Sequence, residues 1–222
     1  MTEINDIDYV NDNDEFDISN VNCEFEDEMF KLCPNFTNSS ISVNEFNSFC
    51  DSDKDYFLNI MHVNCRSLKQ NFHSLEYLLS LLDNNLTAAC VSETWLSPSS
   101  ENSYNLNGYD FVCKSRTSKI GGGVGIYINN TYNYQLRNDL SVINEYIECV
   151  FVEIIQSLGN VLIGCVYRPP GSDISNFTDY LTMILDIIYC KRCPPLTFLS
   201  GDFNIDLLKS ACHSPTADFL MF

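Results

Sequence analysis

A series of short apolar runs, each about the length of a β-strand, constrains the fold of this chain more than any other feature. Turns that contain Gly, Asn and Asp separate these runs, and many of the runs are rich in Val, Ile, Tyr and Phe, which favour strands. We interpret each run as one strand. In chain order they are FLNIMHVN, TAACVSE, YDFVCKSR, GVGIYI, YNYQLR, ECVFVEII, VLIGCVYR and PLTFLSGD.

Two longer stretches carry apolar residues at helical spacing. NFHSLEYLLSLL lies between the first two strands, and residues 175–189 precede the last one, with Ser175 as the expected N-cap. A further helix is expected to begin at Ser214. A strand-helix-strand unit places both strands in one sheet, so the pattern predicts an α/β fold in which helices cover sheets of buried strands.

Negative charge is concentrated at the N-terminal end. The net charge is -18. Residues 1–57 hold 15 acidic residues and two lysines, whereas residues 58–222 hold 15 acidic and 10 basic residues. We therefore expect two regions. Residues 1–56 form an acidic extension that is disordered or binds a protein partner through its scattered aromatics, and residues 57–222 form the folded domain.

This charge argues against a high-affinity, non-specific DNA-binding protein, because acidic surfaces repel phosphate. It leaves room for an enzyme that meets nucleic acid through a small basic patch and a metal ion. The first residues, MTEINDIDYV, lack the features of a secretory signal, and no apolar run is long enough for a membrane span. With 11 cysteines, several inside apolar runs, we expect an intracellular protein, nuclear or cytoplasmic, without a membrane partner.

Five polar residues stand at the ends of predicted strands, where open α/β sheets present their active sites. They could serve phosphodiester hydrolysis. Mg²⁺ prefers hard oxygen ligands, which a carboxylate and a side-chain amide supply, and a second carboxylate can orient or deprotonate a water. An amide and a phenol can donate hydrogen bonds to phosphoryl oxygens. The residues are Asn64, Glu93, Tyr167, Asp202 and Asn204.

Other residues allow two interpretations each. Arg116 and Lys119, in CKSRTSKIGGG, could grip a nucleic-acid backbone or could lie in a solvated loop, and Arg168 is a further candidate for nucleic-acid contact. Residues 121–123 favour a hairpin turn over a phosphate-binding loop. Trp95 could stack on substrate, but packing beneath the rim of the site is the expected outcome.

Taken in order, the motifs resemble one protein family. The strings SETW, GGGVGIYI, YRPP and GDFNID, preceded by Asn64, are similar to those of the endonuclease domain of non-LTR retrotransposons, a branch of the endonuclease/exonuclease/phosphatase (DNase I-like) superfamily. The resemblance covers about residues 57–222. It implies a four-layered α/β sandwich of two face-to-face sheets with helices outside.

The resemblance also implies roles. Asn64 and Glu93 match the family's metal-site residues for Mg²⁺ or Mn²⁺, Tyr167 its phosphate-contacting tyrosine, and Asp202 with Asn204 the pair that activates the nucleophile and stabilises the transition state. Such enzymes nick target DNA, and the freed 3′ hydroxyl primes reverse transcription.

This chain also departs from the family pattern. After GDFNID the family continues to another catalytic Asp and a terminal Asp-His pair, whereas this sequence ends at Phe222. The resemblance therefore implies a C-terminally truncated domain, weak or inactive alone. Two alternatives stay open: another phosphoesterase of the same fold, acting on RNA, inositol phosphates or lipids, and a non-catalytic retroelement remnant.

Overall fold

Two β-sheets form the centre of the structure, and helices lie against their outer faces. The computed structural model describes residues 42–52, 58–82, 86–117, 120–157, 159–190 and 194–221. Short 3₁₀ turns occupy Glu101–Ser103 and Leu207–Lys209. The helices are α1 (Val43–Ser52), α2 (Leu68–Leu81), α3 (Ile174–Tyr189) and α4 (Ser214–Met221). The strands are β1 (Ile60–Asn64), β2 (Ala88–Ser92), β3 (Tyr109–Lys114), β4 (Val124–Asn129), β5 (Tyr134–Leu136), β6 (Val142–Ile143), β7 (Glu148–Ile154), β8 (Val161–Tyr167) and β9 (Leu196–Asp202).

Each sheet contains one parallel pair of strands. The first sheet has the order β1-β2-β4-β3, and β1 runs parallel to β2 with Asn64 opposite Ser92. The second has the order β5-β7-β8-β9, with β6 paired to β7, and β8 runs parallel to β9 with Tyr167 opposite Asp202. Each parallel pair therefore ends with two polar residues side by side.

Alternation of side chains along the strands divides the apolar residues into three clusters. The inner faces of both sheets pack together, for example through Cys90 and Ile126 of the first sheet and Val152 and Ile163 of the second. The outer faces pack on helices. Helix α2 covers the first sheet through Leu68, Leu75 and Leu79, and α3 covers the second through Phe177, Leu181, Ile184 and Ile188. This helix-sheet-sheet-helix order confirms the expected four-layered α/β sandwich.

Two helix positions differ from the sequence-based expectation. Helix α3 begins at Ile174, because the side chain of Asp173 caps it by accepting from the Asn176 backbone N–H at 2.9 Å, so Ser175 is inside the helix. Helix α1 lies within the segment expected to be disordered. Its Phe46 packs against the apolar cluster formed by α2 and the first sheet. Residues 1–41 and 53–57 lie outside the described part of the chain. Among the described helices, none combines the length and apolarity needed to cross a membrane.

The packing of the outer face of the second sheet can be tested at Gly164, in the middle of β8. A Cβ atom built there would lie 2.3 Å from Phe151 Cε1 and 2.9 Å from Leu199 Cδ2, so the neighbouring ring would have to move. We expect Gly164→Ala to lower the free energy of unfolding by about 1–3 kcal/mol, measured by urea denaturation. Adding Phe151→Leu should recover part of the loss, since the shorter side chain leaves room. Wild-type stability of the single variant would contradict this account.

Candidate active site

Four side chains from the two sheets meet at one rim of the sandwich. The Asn64 side-chain amide donates from Nδ2 to Glu93 Oε1 at 2.9 Å and to Asp202 Oδ2 at 2.8 Å. The Tyr167 hydroxyl donates to the same Glu93 oxygen at 3.3 Å. The two carboxylates therefore share a single amide group, although Asn64 and Asp202 are 138 residues apart along the chain.

The strand ends explain why these residues meet. Asn64 ends β1, Glu93 follows β2, and the two strands are parallel neighbours. Tyr167 and Asp202 end the parallel pair β8 and β9. Since β1 packs against β9 and β2 against β8, the carboxyl ends of both parallel pairs reach the same edge.

Gly201 keeps β9 close to its neighbour just before Asp202. A Cβ atom at this position would lie 1.7 Å from the Val166 carbonyl oxygen, which no side chain can tolerate. Glycine is therefore required for the β8–β9 pairing at this point, and that pairing places Asp202 opposite Tyr167.

The Tyr167 phenol is buried at the base of the site. Burial raises the pKa of Tyr167 above its ordinary value, and the neighbouring Glu93 and Glu148 carboxylates add to the effect, whereas Arg116 opposes it. The hydroxyl thus keeps its proton at physiological pH and remains a hydrogen-bond donor.

Asn204 adjoins the cluster but does not share its side-chain contacts. Its backbone N–H donates to Asp202 Oδ1 at 3.1 Å, and its side-chain Nδ2 donates to the Arg168 carbonyl at 2.9 Å. The backbone of Asn204 therefore holds one Asp202 oxygen, while Asn64 holds the other.

The structure gives Arg168 a different place from the expected nucleic-acid contact. The residue is 5% exposed, and its guanidinium donates to the carbonyls of Phe203, at 2.7 Å, Ser172 and Asn204. Its nitrogen atoms are engaged inside the protein, where they tie the loop after β8 to the loop after β9. Arg168 thus positions the backbone around Asp202.

A buried carboxylate that the sequence did not single out holds the other side of the site. Glu148 is fully buried, accepts from the Gly123 backbone N–H at 2.6 Å and forms an ion pair with Arg116. The available signal was an acidic residue directly before the apolar run CVFVEII. Arg116, a candidate for nucleic-acid contact, is thereby fixed beside the glycine-rich turn, and Lys119 lies outside the described residues.

A cleft of about 710 Å³ opens next to the four clustered side chains. Glu93 and Tyr167 are among the residues that line it, together with Trp95 and Arg116. Trp95 is 42% exposed, so it faces the cleft and does not pack beneath the rim as expected.

The donor chemistry of the cluster fits a hard divalent cation. Two carboxylates converge on one neutral amide, and Mg²⁺ binds through one or two carboxylates plus waters and phosphate. Within the described ranges, no group of three or more His, Cys, Asp or Glu side chains is placed to hold a metal ion.

Comparison with known proteins gives similarity at the level of structure. No protein-family model matches the sequence, and no curated protein matches it either. Among solved structures, the endonuclease domain of TRAS1, a telomere-specific non-LTR retrotransposon, superposes with a TM-score of 0.56 at 14% identity, covering 74% of this chain and 69% of that one. The fold is that of the endonuclease/exonuclease/phosphatase proteins.

Two further structures agree. The AP endonuclease of Leishmania major has a TM-score of 0.56 at 14% identity, over 83% of this chain and 73% of its own. An endonuclease/exonuclease/phosphatase family protein from Bacteroides thetaiotaomicron has a TM-score of 0.51 at 14% identity, over 74% and 68%. The expected DNase I-like fold is therefore confirmed.

The structural role of Arg168 can be tested by Arg168→Lys, which keeps the charge but cannot reach three carbonyls at once. Because partly buried carbonyls would lose their donors, we expect a loss of about 1–3 kcal/mol in the free energy of unfolding, measured by urea denaturation. Arg66→Lys, at an exposed position, is the matched control and should change stability little. Equal effects of the two substitutions would contradict the assignment.

Proposed function

We propose that this chain is a Mg²⁺- or Mn²⁺-dependent phosphodiesterase that nicks DNA, as the endonuclease domains of non-LTR retrotransposons do to prime reverse transcription. One observation carries the proposal: the Glu93 and Asp202 carboxylates, from different sheets, share the Asn64 amide beside the Tyr167 hydroxyl. The fold shared with the TRAS1 domain supports it.

In this proposal Asn64 and Glu93 hold the metal. When bound, the ion would neutralise negative charge that develops on the phosphate. In this structure the Asn64 side-chain oxygen accepts from the Arg66 backbone N–H at 3.2 Å, and the side-chain nitrogen faces the two carboxylates. Rotation of the amide would turn the oxygen, which is the metal ligand, towards the carboxylates.

The remaining residues act on the proton and the phosphate. Asp202, held in position by the Asn204 N–H, orients and deprotonates the attacking water. Tyr167 remains protonated and donates to a phosphoryl oxygen, as does the second N–H of the Asn204 amide. We expect turnover to be slow.

Metal binding can be measured without any assay of cleavage. With Mg²⁺ in about 100-fold excess over its Kd, we expect the thermal midpoint of the wild-type chain to rise by roughly 5–10 °C. Glu93→Gln should abolish the rise, because it removes a charged ligand at nearly constant volume. Glu76→Gln, on the exposed face of α2, should keep it. A full rise in Glu93→Gln would place the ion elsewhere.

Nicking of supercoiled plasmid tests the reaction itself. We expect slow relaxation that requires Mg²⁺ or Mn²⁺ and that falls at least about 100-fold in Asp202→Asn, because the base that activates water is lost. Asp179→Asn, an exposed position on α3, should leave the rate unchanged.

A substrate panel separates the alternatives. Poly(A) RNA and phosphoinositides should be poorer substrates than plasmid DNA. Faster turnover of either would make the chain a phosphoesterase of another substrate class, and the absence of turnover on all three would favour a non-catalytic remnant.

A further inference from the structure

The wall of the cleft beyond Glu93 and Tyr167 combines an aromatic ring, a guanidinium and stiff backbone. The cleft is lined there by Trp95, Arg116, Gly121–Gly122 and Pro169–Pro170. Of this lining, the proposed function uses only Glu93 and Tyr167, and the remaining surface has the composition of a binding site for a group that is partly flat and partly anionic.

Arg116 is oriented toward this space by a buried partner. Its Nε donates to Glu148, which is fully buried and also accepts the Gly123 N–H. The N–H groups on Nη1 and Nη2 make no hydrogen bond with any residue that the structure describes. The guanidinium therefore presents two donor groups in a fixed direction, an arrangement suited to phosphate oxygens.

Trp95 lies beside the same donors. A Cβ atom on Gly121 would lie 3.9 Å from Arg116 Nη1 and 4.0 Å from Trp95 Nε1, so the two side chains flank this glycine. The Trp95 backbone N–H donates to the Gly122 carbonyl at 2.9 Å, which fixes the base of the side chain. The bare backbone of Gly121 leaves open the space between ring and guanidinium.

We propose that this cleft binds one nucleotide of a DNA strand next to the scissile phosphate, with its base unpaired and stacked on Trp95 and its phosphate on Arg116. The proposal rests on the proposed function and adds a preference for DNA with an unpaired nucleotide beside the cut. Stacking on Trp95 requires an open base face, whereas both faces of a base inside a duplex are already covered.

The charges of the cleft limit it to one phosphate. Glu93 and Glu145 are part of its lining, together with Arg116. A longer stretch of backbone would place further phosphates near these carboxylates, which repel them. A single nucleotide with its phosphate on Arg116 places only one phosphate in the cleft.

Trp95 is the only tryptophan in the sequence, so its emission reports on this cleft alone. The experiment titrates a single-stranded DNA oligonucleotide, and a blunt hairpin duplex of the same composition, into the Asp202→Asn chain in Mg²⁺, where the DNA stays intact. We expect the single strand to change the emission at concentrations about ten-fold below those needed for the duplex. N-acetyl-tryptophanamide controls for absorption by the DNA.

Arg116→Gln combined with Glu148→Gln removes the guanidinium without leaving a buried charge unpaired, and its folding is checked by circular dichroism. We expect it to weaken the single-strand response about ten-fold. Lys69→Gln, an exposed cation on α2, should change it less than two-fold. In anisotropy titrations of labelled oligonucleotide, Trp95→Ala should lose about ten-fold in affinity and the exposed Tyr77→Ala should not.

Three results would overturn the proposal: labelled DNA that binds without changing Trp95 emission, a duplex that matches the single strand, and a glutamine pair that binds as the parent does. None of these depends on cleavage. If DNA changes the Trp95 emission but the chain does not nick plasmid, the nucleotide site stands and the proposed nuclease function is wrong. If the chain nicks plasmid but DNA does not change the emission, the nuclease function stands and the nucleotide site is wrong.

Discussion

The contact of one amide group with two carboxylates is the constraint on which the site depends. Glu93 and Asp202 belong to different sheets, and two negative groups this close repel one another. A neutral donor from Asn64 stabilises both, and β1 can deliver it because this strand pairs with β2 and packs against β9. The face-to-face packing of the sheets thus matters for chemistry as well as for stability, since sliding one sheet by a residue would separate the carboxylates.

Backbone strain is concentrated around this contact. Positive φ angles at residues other than glycine typically cost about 1–3 kcal/mol each. Among the described residues they follow β1, β2 and β9, at Arg66 (39°), Ser67 (84°), Glu93 (53°), Trp95 (53°) and Asn204 (50°). Backbone hydrogen bonds continue past the strand ends and hold these loops, with Ser67 N–H donating to the Glu93 carbonyl at 2.8 Å and Trp95 N–H to that of Gly122 at 2.9 Å. Pairing between loops therefore stabilises conformations that isolated residues avoid.

The sequence predicts the strands well because apolar runs bounded by turns have few other ways to bury themselves. It also predicts the positions of Asn64, Glu93, Tyr167 and Asp202, since each is a polar residue where such a run stops. The charged residues inside the protein could not be predicted in the same way. Arg168 also follows a strand, but its carbonyl partner at Phe203 lies 35 residues further along the chain.

The burial of Glu148 could not be predicted from the sequence either. Its carboxylate is buried only because the turn before β4 and the side chain of Arg116 fold over it, a contact between segments 25 and 32 residues away. Helix α1 likewise depends on tertiary packing of Phe46, which local composition in an acidic segment does not reveal. In each case the missing information is which distant group supplies the partner.

Net charge sets the conditions under which such a site can meet DNA. The chain carries a charge of -18, and residues 58–222 alone hold more acidic than basic residues, so long-range attraction to phosphate is lacking. Because Glu148 balances the charge of Arg116, this residue attracts phosphate weakly at long range and contributes mainly through the direction of its N–H groups. The carboxylates of Glu93 and Asp202 repel phosphate until a divalent cation neutralises them. In the proposed enzyme the cation therefore contributes to substrate binding as well as to chemistry, and with few phosphates paired to cationic side chains the affinity depends only weakly on monovalent salt.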